Sequence, residues 1–112
     1  MRKLFWISLL AISAFGACTK EKDEAVSECI QDRLKTFDQF EACDQAAVSR
    51  YMFMGQTVYT FDRGNCVDMD SIEVRSEDCA LLGYLGGYLN NTMINNTAFY
   101  QQADFVSLVW AK

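Results

Sequence analysis

The side chains able to do chemistry form a restricted set: the 112-residue chain has no His, 5 Cys, and 15 Asp and Glu against 10 Lys and Arg. Without imidazole, Ser-His-Asp triads, Cys-His nucleophiles, HExxH sites and His-ligated zinc or haem are excluded. The densest group of candidates is the stretch Asp62-Arg63-Gly64-Asn65-Cys66-Val67-Asp68-Met69-Asp70-Ser71-Ile72-Glu73. Asp68, Asp70 and Glu73, joined by Asp62 and Asn65, offer hard oxygen donors of the kind calcium takes. Their spacing is not that of an EF-hand loop, and a solvated acidic loop is the alternative reading of the same residues. Apart from calcium no cofactor is expected. Paired carboxylates could also serve glycoside hydrolysis, but a chain this short leaves little room for a substrate cleft beside its core, so a non-catalytic protein is expected.

Cys29, Cys43, Cys66 and Cys79 form an even set without a CxxC pair, which favours two disulfides over a zinc site or a redox pair. A bridge from Cys66 to Cys79 closes the shortest plausible loop and would contribute about 3 kcal/mol. By elimination Cys29 then pairs with Cys43, which requires a helix between them to stop near Phe37. Gly83-Tyr84-Leu85-Gly86-Gly87-Tyr88 matches neither the P-loop nor the dinucleotide-binding spacing of glycines. Tyr84, Leu85 and Tyr88, with Tyr51, Tyr59 and Tyr100, are read as core, because a small domain needs its aromatics inside; the alternative is an exposed patch for a sugar or a protein.

The fifth cysteine belongs to a different context. Residues 1–17, MRKLFWISLLAISAFGA, place Arg2 and Lys3 before a short apolar run and two small residues, the three regions of a cleaved signal peptide. The apolar run is too short to span a bilayer. Phe15-Gly16-Ala17-Cys18 resembles the lipobox of bacterial lipoproteins, with Phe where Leu is usual. That resemblance implies that Cys18 is lipidated, becomes the new N-terminus and inserts acyl chains into the membrane. Residues 18–24 continue as a polar tether, and their acidic character is similar to the signal that sends some lipoproteins to the outer face of the outer membrane, although a plain spacer has the same composition. Thr19, rather than Asp, resembles the residue that permits release from the inner membrane. The expected location is therefore the outer membrane, on its periplasmic or cell-surface side. After cleavage the chain carries 8 basic and 15 acidic side chains, with no basic patch, so nucleic acid is not an expected partner.

These residues need a scaffold, expected as a single small domain over 25–112. Val26, Ile30, Leu34 and Phe37 recur at helical spacing between Glu24 and Phe40, with Asp23 and Glu24 at the helix start. Val48 to Phe61 reads as a β-hairpin turning at Gly55-Gln56, which pairs Met54 with Thr57, Phe53 with Val58 and Tyr51 with Thr60. One of its faces carries Tyr51, Phe53 and Val58, and the other Met52, Tyr59 and Phe61. Ser71 to Arg75 alternates as a third strand, Leu82 to Gly87 is less regular, and two Asn-Asn-Thr turns flank an extended Met-Ile step. A short helix over Thr97–Gln102 and a terminal strand over Phe105–Trp110 complete an α+β plan: an N-terminal amphipathic helix packed on a small antiparallel sheet, stapled by disulfides.

With the Cys-containing helix, GQTVY hairpin, Asp-containing loop, LGYLGG segment and apolar terminal strand in view, residues 26 to 110 resemble a group of small bacterial lipoproteins of unknown function. The resemblance implies the fold and the address but no activity. Asp70-Ser71-Ile72 also resembles the site at which some Gram-negative bacteria O-glycosylate periplasmic proteins, which would modify Ser71. The expected function is a lipid-anchored interaction module for a protein, a glycan or calcium. The alternative is an inhibitor or accessory protein of an envelope enzyme that uses the loop between Cys66 and Cys79.

Overall fold

The computed structural model describes residues 26–66 and 70–112. The expected signal peptide, Cys18, the tether and Asp68 all lie outside the described residues. Helix α1 (Glu28–Phe40) begins later than the apolar spacing predicts. Ser27 takes the N-cap, its hydroxyl oxygen accepting the Ile30 N–H at 3.2 Å, and Val26 stays outside the helix. The stripe is as expected: Ile30 and Phe37 are fully buried, and Leu34 packs beside them.

Strands β1 (Ala47–Phe53) and β2 (Gln56–Asp62) form the hairpin, turning at Met54-Gly55 rather than at Gly55-Gln56. Met54 and Gly55 have φ of 52° and 80°, the positive pair of a type I′ turn, whose twist matches that of the strands. Tyr51 therefore pairs with Val58, and Phe53 with Gln56. A slip of two residues leaves every side chain on its expected face, because the side-chain period of a strand is two.

Strand β3 (Ser71–Ser76) pairs with β2, and β4 (Leu81–Gly86) pairs with β3. β4 is a strand where the glycines suggested irregular chain, though it carries a bulge at Leu82, where the register against β3 shifts between Val74 and Arg75. The two-residue strands β5 (Met93–Ile94) and β6 (Thr97–Ala98) form a second small hairpin, followed by helix α2 (Phe99–Gln102) and strand β7 (Asp104–Ala111). The main sheet runs β4-β3-β2-β1-β7, antiparallel throughout. The fold is the expected α+β arrangement of one principal helix on an antiparallel sheet.

The sheet buries residues on both faces. Against α1, Val48, Tyr59 and Phe61 close over Ile30 and Phe37, and Phe37 makes edge contacts with Phe61 at 5.3 Å and Trp110 at 5.9 Å. On the second face, Phe53, Val58, Val74 and Leu85 are covered by Ile94 and Phe99 from the segment between β4 and β7. Among the described residues no helix is long and apolar enough to cross a membrane.

The cysteines pair differently from the expectation: Cys29 with Cys79 and Cys43 with Cys66, at Cα separations of 6.0 and 5.3 Å. Helix α1 continues to Phe40, which lies about 16 Å from Cys29 at 1.5 Å per residue, so Cys29 and Cys43 stand at its opposite ends. Cys66 and Cys79 flank β3, whose six extended residues alone span about 20 Å. Each bridge thus ties one end of the helix to one end of β3. At the Cys43–Cys66 end the chains also share hydrogen bonds, Cys43 N–H to the Arg63 carbonyl at 2.9 Å and Asn65 N–H to the Asp44 carbonyl at 2.8 Å. Gly64, at φ 84°, lies so close to the Asp44 carbonyl that a Cβ would collide with it.

Candidate functional site

The carboxylates singled out for calcium are directed to arginines. On the helix-facing side of β3, Glu73 Oε1 lies 3.0 Å from Arg33 Nε and 2.9 Å from Arg75 Nε. Arg33 turns its other two nitrogens to Glu41 in a bidentate pair, both at 2.9 Å. Burial raises the Glu73 carboxyl, but the hydrogen bonds and charges of Arg75 and Arg33 outweigh it and hold the group below the ordinary glutamate range. The Glu41 hydrogen bonds, opposed by burial and aided by Glu73, hold the Arg33 guanidinium more firmly charged than usual.

Asp70 Oδ1 accepts the Ser71 N–H at 2.9 Å, and its carboxylate lies 3.4 Å from Arg63. Among the described residues no group of three His, Cys, Asp or Glu side chains is placed to hold a metal ion. Glu73 and Asp70 line one small polar cleft of about 250 Å³ together with Tyr84, Arg33 and Arg63. Ser71 is half-buried at the start of β3, opposite Gly86. Of the segment between Cys66 and Cys79, Ser71–Ser76 is strand β3, flanked on both sides by strands.

The tyrosines divide. Tyr59 and Leu85 are buried, as a core reading requires, whereas Tyr84, Tyr88 and Tyr100 are exposed. Tyr51 and Tyr100 meet at a second cleft, of about 200 Å³, on the sheet face opposite α1. Its origin lies in the sequence of the strands. Along β1 the second-face residues run Phe53, Tyr51, Ser49, Ala47, and along β2 they run Val58, Thr60, Asp62. The large apolar end lies under Ile94 and Phe99, and the short polar end is more open, with Thr60 buried at its base and Ala47, Ser49 and Asp62 half-buried.

There Ser49 pairs directly with Thr60 and Ala47 with Asp62, which makes a shallow polar floor between Ile72 and the two tyrosines. The aromatic wall is braced: Tyr51 contacts Phe99 at 5.2 Å and Phe105 at 5.6 Å, and Phe99 contacts Tyr100 at 5.5 Å, each edge-on. Burial pushes the Tyr100 phenol up, with Tyr51 and Asp62 adding to it, so the hydroxyl stays neutral. Strand β7 extends this surface. Register shifts against β1 between Val48 and Ser49 and between Arg50 and Tyr51 set Leu108 opposite Ser49 and Phe105 opposite Tyr51, on the same face as the cleft. Tyr100, Phe105 and Leu108 are 58%, 60% and 56% exposed.

Tyr51 and Tyr100 were thus visible as an aromatic set, and Asp62 as a carboxylate. Ser49 and Thr60 were missed, although alternation along the hairpin puts them on the Tyr51 face. A wider depression of about 570 Å³ lies beside the Cys29–Cys79 bridge. Its polar groups bond internally, with Ser27 Oγ donating to the Glu77 carbonyl at 2.7 Å and Ser76 Oγ bonded to Asp78.

The family model described as "Domain of unknown function (DUF6970)" matches residues 35–112, from within α1 through β7. No curated protein and no solved structure matches the chain.

Proposed function

Since the chain belongs to the DUF6970 family, a membership that carries no activity with it, we propose from its surface chemistry that it is a lipid-anchored, non-catalytic interaction module of the bacterial outer membrane. The anchor is Cys18, and residues 18–24 are the tether. The contact surface is the uncovered half of the sheet face opposite α1.

The observation that supports this surface is the grouping of Tyr100, Phe105 and Leu108, each more than half exposed, around the cleft floored by Ser49 and Thr60. Strand β7 holds Phe105 and Leu108, and the short helix α2 holds Tyr100 against Phe99, so these side chains have little freedom to lose on binding; exposed apolar area of this kind marks interaction sites. The alternative, an inhibitor or accessory protein of an envelope enzyme, needs a projecting loop between Cys66 and Cys79. Ser71–Ser76 runs inside the sheet between β2 and β4, so this segment offers less to a partner than the open face does.

One experiment tests anchor and surface together. A photo-reactive residue is placed at Leu108, or at exposed Lys35 on α1 as a control, in cells making either the wild type or Cys18→Ser. The wild-type background is expected in the membrane fraction with adducts from position 108 and not from 35. The Cys18→Ser background is expected in the soluble fraction with those adducts lost. Membrane retention of Cys18→Ser would refute the anchor, and equal adducts from both positions would refute the surface.

A further inference from the structure

We infer that the cleft between Tyr51, Tyr100, Ile72 and the Ser49–Thr60 pair is a binding site for one uncharged pyranose ring of a glycan. The inference rests on the proposed interaction face and names the ligand of part of it. Four features lead to it.

The first is size: about 200 Å³ admits a single six-membered ring, and falls short of the roughly 300 Å³ at which pockets for drug-sized ligands begin. The second is the division of chemistry across the cleft. A pyranose has a C–H face that packs on an aromatic ring and an equator of hydroxyls that donate and accept. Tyr100, half out of the surface and braced by Phe99, supplies the ring, while Ser49 and Thr60 supply hydroxyls able to do both.

The third is charge. Among the described residues that line the cleft, Asp62 is the one carboxylate, and no Lys or Arg stands with it. Its Oδ1 already accepts the Gly64 N–H at 2.9 Å, and the carboxylate retains lone pairs for ligand hydroxyls. A carboxylate with no cation beside it among the described residues that line the cleft repels acidic sugars, phosphates and anionic headgroups, which leaves uncharged rings as its complement. The fourth is rigidity. Ser49, Tyr51, Thr60 and Asp62 all sit on paired strands of the hairpin, so the polar groups hold their spacing before a ligand arrives.

A tetraalkylammonium ion is the competing chemistry, since tyrosine faces with a carboxylate also bind such cations. It would leave the Ser49 and Thr60 hydroxyls without a partner, and for that reason the pyranose is favoured.

The test uses the full lipidated protein in a polyoxyethylene detergent, which carries neither sugar nor choline. Methyl glucoside, methyl galactoside, methyl mannoside and tetramethylammonium chloride are titrated separately while backbone amide NMR shifts are followed. At least one methyl pyranoside is expected to bind in the millimolar range, with shifts confined to Ser49, Tyr51, Thr60, Asp62 and Tyr100. Tyr100→Ala is expected to weaken that binding by about tenfold, and Tyr100→Phe to preserve it. Tyr100 is exposed, so neither change removes core.

No localised shift with any pyranoside, equal binding by Tyr100→Ala, or stronger shifts from tetramethylammonium would each overturn the inference. If adducts from Leu108 persist in the membrane while no pyranoside binds, the interaction face stands and the sugar site fails. If both are absent, the proposed function fails with it.

Discussion

Glu73 Oε1 sits between two guanidinium groups, and the Arg33 it holds also grips Glu41 at the C-terminal end of α1. The group therefore joins helix to sheet, and its ionisation is part of the fold. A carboxyl held below its ordinary range contributes stability that is present above the unfolded-state pKa and is lost as pH falls through the folded-state value. Stability is thus expected to drop on acidification below about pH 4, the ordinary glutamate value. Glu73→Gln is expected to cost about 3 kcal/mol at pH 7 by leaving Arg33 and Arg75 short of a partner, and to flatten the acid limb of the curve. Urea titrations of both proteins across pH 3 to 7 check this; an unchanged acid limb in the variant would show that Glu73 does not link folding to pH. The same kind of contact directs both Asp70 and Glu73, named from the sequence as calcium donors, to arginines. Oxygen donors at suggestive spacing are visible in a sequence, but the arginines that reach them come from 33, 63 and 75, and Arg33 is forty positions away from Glu73.

At the scale of elements, what was legible followed local periodicity, and what was not depended on how distant segments meet. The stripe Ile30, Leu34, Phe37 announces the helix, and alternation from Val48 to Phe61 assigns both hairpin faces correctly. The hairpin register escaped because Gly55 serves as the second turn residue, with Met54 accepting a left-handed conformation beside it. β4 escaped because Gly83 and Gly86 lower its strand propensity, while pairing with β3 and burial of Leu85 supply what propensity lacks. Disulfide pairing escaped because it depends on α1 lying alongside β3, with both helix ends fastened. The two bridges close loops of 50 and 23 residues, and by loop entropy each contributes about 3 to 4 kcal/mol. Non-reducing peptide mapping is expected to find Cys29 joined to Cys79 and Cys43 to Cys66. The Cys29→Ser/Cys79→Ser double variant is expected to lose somewhat more stability in denaturant melts than Cys43→Ser/Cys66→Ser, because it frees the longer loop. Peptides joining Cys66 to Cys79 would contradict the strand placement of β3.

At the scale of the molecule, a five-stranded sheet has two faces to cover and, among the described residues, one principal helix. α1 covers one, and the short segment from Asn90 to Ala103 covers the apolar half of the other. The strands anticipate this division, ending in the short polar residues Ser49, Thr60 and Asp62 where Ile94 and Phe99 do not reach. This rigid half-face, with Tyr100, Phe105 and Leu108 each more than half exposed, is the proposed contact surface, and an acyl anchor at Cys18 would hold it at the envelope. Hydroxyl-radical footprinting of the lipidated protein, in intact envelopes and again after purification in detergent, tests this most directly. Protection in the envelope is expected at Tyr100, Phe105 and Leu108, while Phe40 and Tyr88, which are 76% and 84% exposed away from that face, oxidise equally in both. Equal oxidation of all five residues, or protection only at Phe40 and Tyr88, would contradict the account.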